Sequence, residues 1–328
     1  METLRSLLFR YIILGAQRDS WGPGAAKSGV GTAILLELAR TFRAMVQNGF
    51  QPRRSLLFVS WDAGDFGSVG ATEWLEGYLT MLHLKAVAYF SLDRAVLGDD
   101  RFVAYTSPLL ANLIEGVIKQ VDSPKHPGQT IHSQLLRQGR HWKSEIVRAL
   151  FLNSGAYSFT AFGGVPAMEI SFTEDSRPYP FLNTELDTFE NLQVALQGRL
   201  GVLGRAAAEI AGLMALRLAH DRILPLEYSC YSESTLQFSA QLNKYSKELQ
   251  AESELLRGQV HAPGFFPDGL GDHLLRQAVV GRLQSVLLLV IRGGDDHPDS
   301  HDQTPWRERG GEREGEGEGE GEGEREGV

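Results

Sequence analysis

A single cysteine, Cys230, serves all 328 residues, which excludes an intrachain disulfide and any zinc cluster built from several thiolates. It reads as a buried free thiol, with an intermolecular bridge as the alternative. No stretch approaches the roughly 20 consecutive apolar residues of a membrane-spanning helix. The most apolar run near the C-terminus covers only residues 286–291. The opening residues carry an apolar patch but no small-residue cleavage site, and Arg5 and Arg10 flank that patch. They read as the lead-in to a core strand and not as a signal peptide. No Asn-x-Ser/Thr sequon occurs.

Positive charge is not in excess either. The net charge of −9 lies wholly in residues 293–328, which hold four Asp, nine Glu and four Arg. Residues 1–292 carry 28 acidic and 28 basic side chains. A neutral body with an acidic tail offers no electrostatic footprint for nucleic acid or an anionic membrane. Hydrophobic residues at 42 % and charged residues at 22 % suit a globular protein with a real core.

Apolar runs rich in β-branched and aromatic residues predict strands over 10–16, 55–61, 85–92 and 165–172. Helical spacing is expected from Ser28, with Ala33, Leu36, Leu38, Phe42 and Val46 on one face, until Asn48-Gly49 stops it. Further helices are expected over 70–84, 108–121, 189–220, 228–256 and 272–290. Strands alternating with helices indicate an α/β sheet with crossovers. Leu224-Pro225 marks a composition break, and from Gly293 the periodicity ends in a Glu-Gly-Arg tract that cannot bury anything and is expected to be disordered.

Two segments sit at the carboxyl ends of strands, where α/β folds place their sites. One is Gln17-Arg18-Asp19-Ser20-Trp21-Gly22-Pro23-Gly24-Ala25-Ala26-Lys27-Ser28-Gly29; the other is Ser60-Trp61-Asp62-Ala63-Gly64-Asp65-Phe66-Gly67. The first superficially matches a phosphate loop, but Ala26 stands where that loop needs glycine before the lysine, and the spacing to Gly22 is one short. Trp21, Trp61 and Trp74 read as packing residues, Arg18-Asp19 as a structural ion pair, and 122–126 as a turn.

Both segments resemble the co-catalytic zinc aminopeptidases and carboxypeptidases of the glutamate carboxypeptidase type, over roughly residues 10–220. In that family the first strand ends in His-Arg-Asp-Ser-Trp, with the His a zinc ligand and a bridging Asp further on. The second ends in Ser-Trp-Asp-Ala-Glu-Glu-Phe-Gly, with a general base followed by a zinc ligand. A third-strand Asp and a late His complete the site. Carried over, Gln17 replaces the first His, Ala25 the bridging Asp and Gly64 the general base, while Asn183 stands where the late His is expected. Asp65 and Asp93 keep carboxylates. A primary amide is a poor zinc ligand, and nothing remains to deprotonate water. None of the nine histidines falls on a motif position. The resemblance therefore implies no catalytic zinc and no hydrolysis.

The altered residues themselves resemble the transferrin receptors, a non-catalytic branch of that superfamily. Trp61-Asp62-Ala63-Gly64-Asp65-Phe66-Gly67, Gln120-Val121-Asp122-Ser123-Pro124 and Ala156-Tyr157-Ser158-Phe159-Thr160-Ala161-Phe162 carry the likeness. It implies an α/β, zinc-peptidase-like mixed sheet flanked by helices over 1–224. An incomplete helical dimerisation domain is then expected over 225–292 and a disordered acidic tail over 293–328. It also implies a structural Ca²⁺ held in part by Glu73 and Glu76, three apart on one helix, with the other ligands in a segment before Met1. The plain alternative for that pair is two solvated glutamates.

By the same resemblance, the function expected is a transferrin-binding receptor module in iron uptake or iron sensing. Receptors of this kind are single-pass cell-surface proteins and homodimers, and dimerisation here would be weakened by the incomplete helical domain. Two other readings stand beside it: a truncated product without binding function, and a metallopeptidase of the glutamate carboxypeptidase type with a relocated metal site.

Overall fold

The computed structural model describes residues 10–260. The helix expected over 272–290 and the tail from Gly293 lie outside the described residues. So does the rest of the helical domain expected over 225–292 after residue 260.

The first strand, β1 (Tyr11–Gln17), runs into a π-helical turn at Ala25–Gly29 and then α1 (Val30–Gln47). There follow β2 (Ser55–Trp61), a 3-10 turn at Gly64–Phe66, α2 (Val69–Gly77), α3 (Leu79–Lys85) and β3 (Ala86–Ser91). The chain continues through β4 (Arg101–Thr106), α4 (Ala111–Ile118), α5 (Ile131–Arg137), α6 (Trp142–Ile146) and β5 (Val147–Arg148). It then forms α7 (Tyr157–Ala161), β6 (Ala167–Thr173), α8 (Phe189–Ala195), α9 (Leu200–His220) and α10 (Tyr228–Val260).

The six strands lie in the order β2-β1-β3-β6-β4-β5. All neighbours are parallel except β4, which runs antiparallel to β6, so the sheet is mixed. Side chains alternate across it, as the two-residue period of a strand requires. Ile12, Leu14 and Ala16 join Leu38, Phe42, Ile114 and Met214 in one core layer. Ile13 points the other way, to Trp61, Leu75, Tyr89 and Phe159. In-register pairing of β1 with β2, ending at Gln17↔Trp61, brings their following loops side by side.

Several expected elements differ in detail. The helix expected over 70–84 breaks at Tyr78 (φ −123°, ψ 17°) into α2 and α3. That expected over 189–220 breaks between α8 and α9, where Gln197 (φ 52°) and Gly198 (φ 76°) turn left-handed and the Gly198 N–H returns to the Gln193 carbonyl at 2.8 Å. Strands β4 and β5 were not expected. On α1 the buried stripe is Gly31, Ile34, Leu35, Leu38 and Phe42, while Ala33, Leu36 and Val46 face out. Leu38 and Phe42 of the expected face are thus buried, and the i, i+3, i+4, i+7 stripe is completed by Gly31, Ile34 and Leu35 in place of Ala33, Leu36 and Val46.

Gly31 lies where α1 crosses the end of β3. A Cβ there would stand 2.1 Å from the Leu92 carbonyl oxygen, a backbone atom that cannot step aside. Gly31→Ala is therefore expected to cost about 1–3 kcal/mol in urea unfolding, although alanine is the better helix former. A stabilised variant would show that α1 is free to slide.

Among the described residues no helix is long and apolar enough to cross a membrane.

Candidate functional site

The site is built at the carboxyl ends of β1, β2 and β3, from Gln17, the loop that carries Asp65, and Asp93 in the segment after β3. Gln17 is buried at the last position of β1. Its backbone N–H donates to Asp93 Oδ1 at 2.7 Å, and its carbonyl accepts from Thr32 Oγ1 at 3.1 Å. Its Nε2 donates to Asp65 Oδ1 and to the Asp19 carbonyl, each at 3.0 Å. Both of those partners are acceptors, which fixes the orientation of the amide.

Asp65 is further paired with Lys27, whose Nζ lies 2.8 Å from Oδ1. The side chains are 5 % and 16 % exposed, respectively. Lys27 comes from the π-helical turn, and that turn is held by Asp187. The Asp187 Oδ1 accepts from the Ala26 N–H at 2.9 Å and from the Tyr179 hydroxyl at 2.9 Å, and Oδ2 accepts from the Lys27 N–H at 3.1 Å. The 3-10 turn at Gly64 is pinned in the same manner: Asp19 accepts from the Gly64 N–H at 2.8 Å and from the Asp65 N–H at 3.2 Å.

Asp93 is buried, and burial, with the Glu169 carboxylate nearby, pushes its pKa up from 3.8 to about 6. Glu169 is itself buried and is satisfied by the Arg94 guanidinium and the Ser154 hydroxyl.

Of the six degenerate positions, the structure thus links Gln17, Asp65 and Asp93 by hydrogen bonds and sets Gly64 against Gln17. Ala25 opens the π-helical turn, with its N–H bonded to the Asp187 carbonyl at 2.9 Å. Asn183 is exposed at φ 62° in the loop between β6 and α8. Lys27, Asp187, Glu169 and Arg94 were not singled out from sequence. Lys27 had a local signal, since it lies inside the quoted Ala-Ala-Lys-Ser-Gly string, but Asp187 is 160 residues from its partner Lys27 and had none.

Arg18 does not pair with Asp19 but with Asp62, at 3.2 Å on the surface, because Asp19 is engaged by the two backbone N–H groups. Trp21 is 65 % exposed and leans on Phe66, with ring centroids 4.8 Å apart, so it is not core packing; Trp61 is buried as expected. Cys230 is half-buried, with Lys143 Nζ 3.1 Å from its sulfur.

The residues present do not fit a pair of zinc ions. The amide hydrogens of Gln17 are committed, Ala25 and Gly64 offer no donor atom, and Asp65 already holds an ammonium. At Gly64 a Cβ would lie 2.3 Å from Gln17 Cδ, so a glutamate there and Gln17 in its present place exclude each other. Among the described residues no group of three or more His, Cys, Asp or Glu side chains is placed to hold a metal ion. Glu73 and Glu76 are both exposed on α2.

Residues 9–208 match the profile of peptidase family M28. The chain belongs to that family. Within it, this M28 chain is 60 % identical over 254 residues to transferrin receptor protein 2 of Homo sapiens, covering 77 % of the chain and 32 % of that protein. It is 47 % identical over 242 residues to transferrin receptor protein 1 of Gallus gallus, covering 74 % of the chain and 30 % of that protein. The transferrin receptor likeness seen in the motifs thus extends along most of the M28 chain, which spans about a third of the length of these relatives.

Proposed function

We propose that this chain is a non-catalytic receptor module that binds a transferrin-type ligand in cellular iron uptake or iron sensing. The observation that carries the proposal is the 60 % likeness to a transferrin receptor over 254 residues. The committed hydrogen bonds of Gln17 and Asp65, and the glycine at position 64, support the non-catalytic part. Surface anchoring through a membrane-spanning segment, endocytosis and homodimerisation belong to the same reading. So does a structural Ca²⁺ at Glu73 and Glu76, completed by ligands outside the described residues. Exposed Tyr228, Leu236 and Leu242 on α10 suit a helix that is covered in an assembly.

Titration calorimetry of the full chain with iron-loaded transferrin, run beside a melting curve, tests the proposal. Saturable binding by a cooperatively melting chain is the expected result. A sharp melt without binding would remove the receptor function from this chain and favour a truncated product. A peptidase assay with added Zn²⁺ is expected to show no turnover; hydrolysis would overturn the non-catalytic part.

A further inference from the structure

The enzymes that this chain resembles use a carboxylate at the position of Asp65 to bind zinc. Here that carboxylate is 5 % exposed, and its Oδ2 has no hydrogen-bond partner. A buried carboxylate is costly unless an opposite charge sits beside it. The nearby acids have other arrangements: Asp19 is satisfied by two backbone N–H groups, Asp93 accepts from the Gln17 N–H, and Glu169 is paired with Arg94. Asp65 is left as the anion that needs a cation, and the ammonium of Lys27 reaches it at 2.8 Å from within the fold.

Lys27 is delivered to this place by construction. Its own N–H and that of Ala26 are fixed on Asp187, so the backbone of the π-helical turn is set before its side chain extends. The turn belongs to the loop after β1, and Asp65 to the loop after β2. The pair therefore joins the two loops whose resembling counterparts are joined by metal.

We propose that the Lys27 ammonium is a built-in replacement for the metal cation, supplying from the chain itself the charge that ties these two loops together. The fold at this point is thereby independent of a divalent ion. An ammonium brings one charge and three hydrogen-bond donors, which matches two loops in which Asp65 is the one ligand-position carboxylate left, Asp93 lying after β3. The inference rests on the non-catalytic reading above, yet the two fail separately. Peptide turnover would sink that reading without touching the pair, and independent behaviour of Lys27 and Asp65 would sink the pair without restoring hydrolysis.

The test is a thermal double-mutant cycle on the full chain: wild type, Lys27→Met, Asp65→Asn and the double variant, each with EDTA and with added Zn²⁺. Each single variant is expected to lower the melting midpoint by roughly 5–10 °C, because it leaves one charge or one polar group buried alone. The double variant is expected to recover most of that loss, and the wild-type midpoint to be the same with EDTA and with Zn²⁺. Should a single variant fail to fold, the double variant still decides, since it must fold and melt near the wild type. Additive losses, a Lys27→Met variant that melts with the wild type, or a wild-type midpoint that rises with Zn²⁺ would each overturn the proposal.

Discussion

Asp187→Ala is expected to lower the stability of the chain by about 3–5 kcal/mol. The side chain is fully buried and accepts three hydrogen bonds, from the N–H groups of Ala26 and Lys27 and from the Tyr179 hydroxyl. Truncation would leave all three donors without an acceptor, and each orphaned donor costs about 1–3 kcal/mol before the site relaxes. The phenol cannot escape by ionising, because burial, the largest cause of its raised pKa, persists when the Asp187 carboxylate is gone. Asp187→Asn keeps one carbonyl oxygen and is expected to lose about half as much. Urea unfolding should show this as a lower midpoint at constant slope. The loss should also reach Lys27, whose backbone Asp187 seats: adding Lys27→Met to Asp187→Ala is expected to cost less than Lys27→Met alone. A change below about 1 kcal/mol would mean that the π-helical turn holds its shape without the carboxylate.

How much of this arrangement the sequence discloses depends on how local its causes are. Strands β1, β2, β3 and β6 are legible because each is a short apolar run whose β-branched and aromatic residues are bounded by polar or turn residues. Strand β4 is harder: Arg101–Thr106 places Phe102 and Val103 next to one another, and its pairing partner is the distant β6. The two residues of β5 are too few for any period. The single helix expected over 189–220 is a case of pattern outrunning backbone. Leu192, Leu196 and Leu203 are all buried and keep near-helical spacing through the break, so apolar rhythm alone carries across the left-handed turn at Gln197 and Gly198.

The site divides along the same line. Gln17, Gly64, Asp65 and Asp93 are found from sequence because each sits at or just past a strand end within a recognisable string. What the sequence does not disclose is which charges meet. Arg18 and Asp19 are neighbours in the chain and look like a pair, yet each turns to the loop after β2, to Asp62 and to two backbone N–H groups. Lys27 was read only against a phosphate loop, and its meeting with Asp65 follows from the parallel pairing of β1 with β2 and not from local spacing.

Asp93→Asn is expected to stabilise the chain at neutral pH, the opposite of the usual outcome for a buried carboxylate. Burial, reinforced by Glu169, raises the folded-state pKa of Asp93 to about 6, whereas the ordinary value is 3.8. A raised carboxyl pKa means that the folded chain binds the proton more tightly than the unfolded chain. Asp93 therefore imposes no penalty below about pH 4, where both states are protonated, and stability is lost as pH rises toward 6. Above that the penalty is constant. The gap between the two pKa values corresponds to about 3 kcal/mol at 1.36 kcal/mol per pH unit, the upper end of an expected gain of about 1–3 kcal/mol. Asparagine keeps an oxygen for the Gln17 N–H and fits the same space beside Gly155, where even a Cβ would stand 2.2 Å from Oδ2. Urea unfolding at about pH 4.5, 5.5 and 7 should show the wild type losing stability relative to Asp93→Asn as pH rises, with the difference level above about pH 7. An asparagine variant less stable than the wild type at pH 7 would mean that the charge-assisted hydrogen bond from Gln17 outweighs the desolvation of the carboxylate. The expected sign has a physical origin in the neighbouring substitutions. A carboxylate that the resemblance assigns to a metal stays in place after Gln17, Ala25 and Asn183 have replaced three ligands and Gly64 the base, and Lys27 is matched to the other retained carboxylate, Asp65, and not to Asp93.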